Sequence, residues 1–129
     1  IGKLPDGYVQ NAVAMPHYKD AILAGRFAVQ KYCLLTSEDK LRADIIEKLM
    51  CHFKVDIGNM CLLHGYPENH LDDKLNELQE FIADRFVGIT NKRTVHINPL
   101  ARQLVRVICS VFDEYVAKTS ETHRHAKAI

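Results

Sequence analysis

The spacing of apolar residues changes twice along this chain, and these changes limit the folds it can adopt. Between positions 41 and 82, apolar residues recur every three or four positions, as on one face of an α-helix. Between 87 and 97 they alternate with polar residues, which is the spacing of a half-buried β-strand. From position 99 the helical spacing returns. The pattern predicts a mainly α fold with one small β-hairpin.

The predicted helices before the hairpin carry their own start and stop signals. Pro16 and Gly25 bound a short helix, because proline is tolerated in a first turn and glycine adopts the left-handed conformation that ends a helix. Thr36 and Asp39 approximate a capping box before a helix that reaches about Lys54. Its apolar face consists of Leu41, Ile45, Ile46, Leu49, Met50 and Phe53. Two more helices are predicted, one between Asp56 and Gly65 and one with Leu71, Leu75, Leu78 and Ile82 on its apolar face.

The hairpin and the helix after it complete the predicted fold. A turn at Asn91-Lys92-Arg93 separates two short runs of alternating residues, and Asn98 with Pro99 can start a helix. We expect this to be the longest helix, with one buried side made of Leu100, Leu104, Val107, Ile108, Val111, Phe112 and Tyr115. Three helices, a two-stranded wing and a further helix give a winged-helix-like arrangement. Such folds serve protein packing as well as DNA binding, so the fold alone does not define a function.

Composition and charge narrow the possible partners. The 129 residues include 17 basic and 16 acidic side chains mixed along the chain, which disfavours a nucleic-acid or anionic-membrane surface. No apolar run is long enough to span a bilayer. Four scattered cysteines favour reduced, buried thiols and a cytoplasmic setting. We expect an extended segment at 1–14, a helical domain at 15–118 and a polar tail at 119–129.

Metal binding has weak support in this sequence. Cys51, His52, Cys61 and His64 are the best candidate ligands, since Cys61 and His64 are spaced to share one side of a turn. Small buried thiols explain the cysteines better, because Cys51 falls within a predicted core helix. A His-x-His pair at positions 123 and 125 lies in the predicted tail, where nothing would hold a bound ion in place. We therefore predict no metal site.

Several polar residues are candidates for binding a substrate. Arg102 and Arg106 share one helix face and could hold a carboxylate in forked geometry, although a solvated face with weak ion pairs explains them better. Arg42 lies in a first helical turn, where a cation opposes the helix dipole, and an ion pair with Glu38 would be its plain explanation. The polar groups of Tyr8, Gln10 and Asn11 are suited to a cleft or to a linker.

Three stretches carry a resemblance to a known enzyme family. They are Tyr8-Val9-Gln10-Asn11, then Ser37-Glu38-Asp39-Lys40-Leu41-Arg42 leading into Leu49-Met50-Cys51-His52-Phe53, and finally the stretch from Arg102 to Tyr115. In this order and spacing they resemble the C-terminal third of the oxygen-independent coproporphyrinogen III oxidases, radical S-adenosylmethionine enzymes of haem synthesis.

The resemblance implies a catalytic barrel elsewhere in the same polypeptide, and segment 1–14 would leave that barrel. The parent would use a [4Fe–4S] cluster and S-adenosylmethionine to decarboxylate two propionates of coproporphyrinogen III, giving protoporphyrinogen IX. The cluster needs Cys-x3-Cys-x2-Cys, which this chain lacks, so we expect no cofactor and no catalytic residue here. Ile1 would lie near S-adenosylmethionine in the parent. Tyr8, Gln10, Asn11, Arg42 and Arg102 would lie at the active-site seam or position the substrate.

Two other interpretations remain open from the sequence. One is a haem-binding protein of the same radical S-adenosylmethionine group. The other is a stand-alone winged-helix module that binds nucleic acid or a protein, which a basic stripe after the wing would favour. The chain offers only Arg102 and Arg106 there.

Overall fold

The computed structural model describes residues 1–119, which form two compact units that divide between Asp39 and Lys40. Residues 120–129, with the predicted His-x-His pair, lie outside the described part of the chain. We call the two units unit 1 and unit 2. The three-part division expected from the sequence stays a prediction.

Unit 1 is a three-stranded antiparallel sheet with one helix. Its elements are β1 (Gly2–Leu4), β2 (Gly7–Asn11), α1 (Met15–Leu23) and β3 (Val29–Leu34), and the sheet order is β1-β2-β3. Gly7 is required by packing, because a Cβ there would collide with the carbonyl of Cys33 on β3. The segment expected to be extended is thus a pair of strands. The sequence analysis missed β3, whose residues are all exposed.

The first predicted helix is confirmed, including both of its end signals. Pro16 lies in the first turn of α1. Gly25 follows the helix with a φ of +68°, a conformation that costs glycine little. The amide of Arg26 then donates to the carbonyl of Ala21 at 2.9 Å.

The capping box and the long helix that it starts are also confirmed. The helix α2 (Ser37–His52) is preceded by Thr36, whose Oγ1 accepts from the amide of Asp39 at 3.1 Å, while Oδ2 of Asp39 accepts from the amide of Thr36 at 2.8 Å. Phe53, with a φ of +57°, ends the helix. With 16 residues, α2 is the longest helix of the described chain, so our expectation for the final helix was wrong.

The two helices predicted next differ in how well they match the structure. Helix α3 (Ile57–Leu63) begins as expected, because Oδ1 of Asp56 accepts from the amide of Asn59 at 2.9 Å. The following stretch is two short helices, α4 (Asp72–Glu77) and α5 (Gln79–Ala83), instead of one. A tight turn at Leu78, whose amide donates to the carbonyl of Leu75 at 3.2 Å, separates them.

The predicted hairpin is confirmed, and it gains a third strand. Strands β5 (Val87–Thr90) and β6 (Thr94–Ile97) pair in antiparallel fashion around a turn at Asn91 and Lys92, both with positive φ. Strand β4 (Lys54–Asp56) pairs with the other side of β6, giving the order β4-β6-β5. Three residues with one apolar side chain, Val55, are too short a pattern to reveal β4.

The last predicted helix is broken into four pieces. They are a 3₁₀ helix (Pro99–Leu104), α6 (Val105–Cys109), a 3₁₀ turn (Ser110–Phe112) and α7 (Glu114–Thr119). The cap at Asn98 is confirmed, since its Oδ1 accepts from the amide of Leu100 at 3.0 Å. Because a 3₁₀ turn has three residues, the helical spacing no longer marks one face.

The buried side that we predicted for this region was therefore mostly wrong. Ile108 and Phe112 are fully buried and Val111 is partly buried. The others are exposed: Leu100 at 95%, Leu104 at 36%, Val107 at 49% and Tyr115 at 52%.

In the core of unit 2, α2 packs with residues from the rest of the unit, including its last helical region. Leu41, Ile45 and Leu49 of α2 lie in one cluster with Ile108 and Phe112, while Phe53 is only partly buried. The rest of this core consists of Val55, Ile57, Met60, Cys61, Leu71, Leu75, Leu78, Val87, Val95, Ile97, Ala101 and Cys109. The described chain is thus mainly helical, with two small antiparallel sheets. None of its helices has the length and apolar character needed to cross a membrane.

Candidate functional site

Strand β2 places two of the predicted site residues on one face of the unit 1 sheet. Tyr8 and Gln10 are two positions apart, so their side chains leave the same side of the strand. Tyr8 lies opposite Cys33, and Gln10 lies opposite Lys31. Both site residues are half-buried. The register therefore creates a polar face with a phenol, an amide, an amine and a thiol.

The two faces of this sheet differ in chemistry. The face opposite Tyr8 and Gln10 carries Leu4, Val9, Tyr32 and Leu34 by the same alternation. Leu34 is 67% exposed and Tyr32 is 51% exposed, so unit 1 by itself leaves apolar surface open to water. The sequence analysis missed Lys31 and Cys33 as neighbours of the site. The alternation in Val29 to Leu34 was the signal that could have placed them.

The other two candidates in unit 1 have little side-chain packing. Asn11 is exposed at a break in the β2–β3 register, and the neighbouring amide of Ala12 donates to the carbonyl of Ala28 at 2.8 Å. Ile1 is 94% exposed and precedes β1. Unit 1 thus groups Tyr8 and Gln10 closely and leaves Ile1 outside its strands.

Arg42 in unit 2 is held by the opposite end of the unit. It is 8% exposed, its Nη1 donates to the main-chain oxygen of Phe112 at 3.3 Å, and its Nη2 lies 3.8 Å from Oε1 of Glu114. This geometry gives the cation near the start of α2 a structural partner that the sequence did not suggest. The guanidinium is therefore engaged within unit 2.

Arg102 makes a different contact. Its guanidinium carbon lies 4.5 Å from the ring centroid of Phe53, a cation–π geometry. Arg106 is exposed in α6. The predicted pairing of Arg102 with Arg106 around a carboxylate is therefore not what the structure shows, because Arg102 stacks on Phe53, the residue that ends α2.

The cysteine and histidine candidates are distributed over several environments. Cys61 and Cys109 are buried, whereas Cys33 and Cys51 are exposed, so the expectation of buried thiols holds for two of the four. Burial raises the pKa of the Cys109 thiol to about 11. His64 Nε2 lies 2.9 Å from Oδ2 of Asp44, which occupies one ring nitrogen. Within residues 1–119, no three His, Cys, Asp or Glu side chains are grouped closely enough to hold a metal ion.

The sequence analysis also missed an ion-pair network that organises unit 2. Arg93, in the turn between β5 and β6, donates from Nε and Nη2 to the two carboxylate oxygens of Asp72, both at 2.7 Å. Nη1 lies 3.5 Å from Oε1 of Glu68. Hydrogen bonding to Arg93 lowers the pKa of Asp72. Gly58 leaves room for this network, because a Cβ there would lie 2.8 Å from Cγ of Glu68 and 3.0 Å from Cδ of Arg93.

Comparison with known proteins places the chain beside one class of enzyme, the oxygen-independent coproporphyrinogen III oxidases. The resemblance seen in the sequence is confirmed, since proteins of this name match it over nearly its full length. The enzyme from Bradyrhizobium diazoefficiens is 38% identical over 126 residues, which are 98% of this chain and 28% of the relative. That from Paracoccus denitrificans is 30% identical over 115 residues, or 89% of this chain and 25% of the relative.

A solved structure supports the same relationship. Coproporphyrinogen III oxidase from Escherichia coli, described as a radical SAM enzyme, matches with a TM-score of 0.78 and 25% identity, over 87% of this chain and 26% of that one. The chain therefore spans about a quarter of the length of the relatives it matches. No family model matches the chain.

Proposed function

We propose that this chain is the C-terminal part of an oxygen-independent coproporphyrinogen III oxidase, an oxidoreductase of haem synthesis. The observation that carries the proposal is the 38% identity to such an enzyme over 98% of the chain. The shared fold with the Escherichia coli enzyme supports it. The parent would convert coproporphyrinogen III to protoporphyrinogen IX in the cytoplasm.

The cofactors of the parent would be bound outside this chain. Three converging thiolates are needed for a [4Fe–4S] cluster, and here two of the four cysteines are buried in the core while the other two lie in separate elements, β3 and α2. These residues do not fit a cluster. The rest of the same polypeptide would then hold the cluster and S-adenosylmethionine, and Ile1 would approach the latter.

The role proposed for this chain is to cover the active site and position the substrate. The polar face with Tyr8 and Gln10 is suited to the seam, because it offers hydrogen-bonding groups beside the amine of Lys31. Closing such a seam would exclude water from a reactive carbon radical. Asn11, Arg42 and Arg102 stay proposed contributors, although the contacts of both arginines within unit 2 give them structural roles as well.

We also infer that unit 2 is of the winged-helix type. Supporting this are the order α2, β4, α3, α4–α5, β5, β6 and the central position of β6 between β4 and β5. In the parent enzyme, this winged-helix unit would pack against other parts of the protein. A stand-alone nucleic-acid module is less well supported, since Arg102 is stacked on Phe53 and the chain has a net charge of only +1.

The reading frame that encodes this chain provides the direct test. We expect Cys-x3-Cys-x2-Cys upstream of Ile1, and the purified full-length protein, with its cluster, S-adenosylmethionine and a reductant, should convert coproporphyrinogen III to protoporphyrinogen IX. A variant with those three cysteines changed to alanine is the matched control. A reading frame without the cysteine motif, or a cluster-loaded protein that leaves coproporphyrinogen III unchanged, would contradict the proposal.

A further inference from the structure

Unit 2 contains a cavity whose lining includes none of the residues discussed for the seam. It has a volume of about 640 Å³, within the size range of small-molecule sites. The end of α2, strand β4, helix α3 and the hairpin turn form its walls. None of Tyr8, Gln10, Asn11, Arg42 and Arg102 lines it.

The rim of this cavity is basic. Lys48 and His52 come from α2, and Lys54 comes from β4. Within residues 1–119, neither lysine amine has an ion pair or a hydrogen bond, so both are available to a ligand. Asp56, the carboxylate in the lining, is already used to cap α3 through the amide of Asn59. Two lysines thus face one carboxylate, so positive charge prevails in the lining.

The rest of the lining is partly apolar. Val55 and Met60 are buried at 4% and 5% exposure and form apolar wall. Leu63 also lines the cavity but is 70% exposed, which leaves an apolar side chain in water beside two free cations. A ligand with an apolar body would cover Leu63 while its anionic groups meet the lysines.

We propose that this cavity binds an organic anion in which an apolar body carries at least two carboxylates, one for Lys48 and one for Lys54. A tetrapyrrole with carboxylate arms has this chemistry. That choice of ligand rests on the proposed function, because the relatives are named for coproporphyrinogen. The cavity would be a second binding site, separate from the seam.

Coproporphyrin III, the air-stable oxidised form of the porphyrinogen, is the probe for this site. Its fluorescence is titrated with the purified chain, and the Lys48→Ala/Lys54→Ala variant should bind it at least roughly tenfold more weakly, since charge-assisted contacts are lost. The Lys19→Ala/Arg26→Ala variant removes the same number of positive charges at exposed positions that do not line the cavity, and it should bind like the wild type. All four substituted residues are exposed, so folding should be retained, and far-UV circular dichroism checks this.

Two neighbouring leucines test the apolar contact. Leu63→Ala should weaken binding, whereas Leu62→Ala, at a position that is 57% exposed and does not line the cavity, should not. No binding by the wild-type chain would overturn the proposal. Equal binding by the wild type and the Lys48→Ala/Lys54→Ala variant would also overturn it, and would assign the bound porphyrin to other apolar surface. Either result leaves the turnover assay of the full-length protein unaffected, so the two proposals fail separately.

Discussion

Nη1 of Arg42 donates a hydrogen bond to the main-chain oxygen of Phe112 at 3.3 Å, across 70 positions of the sequence. Both residues are buried, so the start of α2 is tied to the far end of unit 2 through a charged side chain. A buried carbonyl that loses its donor costs free energy, because water cannot replace the bond. Arg42 is thus expected to matter for folding whatever else it does.

Arg42→Met should destabilise unit 2 by about 1.5–3 kcal/mol, the usual contribution of a hydrogen bond to a charged group. Methionine keeps much of the side-chain length and removes the donors together with the positive charge near Glu114. Arg106→Met, at an exposed position, should stay within about 0.5 kcal/mol of the wild type. Urea denaturation of the purified chain measures both free energies of unfolding. Equal midpoints for the two variants would show that the Arg42 contact does not contribute to stability.

Phe112 and Leu100 were both predicted to be buried, but only Phe112 lies in the core of the structure. Phe112→Ala should cost about 3–5 kcal/mol, because the residue is fully buried. Leu100→Ala should change stability by less than about 0.5 kcal/mol, since Leu100 is 95% exposed. Thermal melts of the two variants decide the matter. A large loss for Leu100→Ala would mean that this side chain is covered in solution.

These two residues also show what the sequence could and could not predict. Local signals were reliable: the Thr36–Asp39 box, the Asp56 and Asn98 caps and Gly25 all act as expected, because each depends on neighbours a few positions away. The face of the last helical region was not predictable, because 3₁₀ turns changed the number of residues per turn. That change follows from tertiary packing and leaves no mark in the apolar pattern.

The placement of the candidate site residues could be predicted only in part, and their role stays a prediction. Tyr8, Gln10 and Asn11 were selected as a group, and β2 does carry all three. Their neighbours Lys31 and Cys33 depended on the pairing of β2 with β3, a long-range contact that the spacing within either strand does not encode. Arg42 was selected for its unusual place in a helix, but its partner Phe112 is known only from the fold.

The Asp72–Arg93 pair predicts a pH dependence of stability. Asp72 has a pKa below its ordinary value because of Arg93, so the carboxylate stabilises the fold above its unfolded pKa, and this contribution is lost as pH falls through the folded pKa. Asp72→Asn should therefore be less stable than the wild type near neutral pH. The difference should shrink in acid below about pH 4.

The measurement is a series of melts from pH 7 downwards, with Asp73→Asn as the matched control. Asp73 is its exposed neighbour in α4. The same difference between wild type and Asp72→Asn at every pH would show that the charge of Asp72 plays no part.

Gln10 provides the sharpest test of the seam. Its side chain shares a sheet face with Tyr8 and lies opposite Lys31, and no core contact depends on it. In the full-length enzyme that we propose, Gln10→Ala should lower turnover of coproporphyrinogen III by about tenfold, because a lost positioning contact raises the barrier without removing the reactive groups. The cluster absorbance should be unchanged. Gln103→Ala, at an exposed position of unit 2, should retain wild-type turnover, which separates positioning from general surface change. Wild-type turnover in the Gln10→Ala enzyme, with the protein folded and its cluster intact, would remove this side chain from the active-site seam and leave β2 as a structural connection.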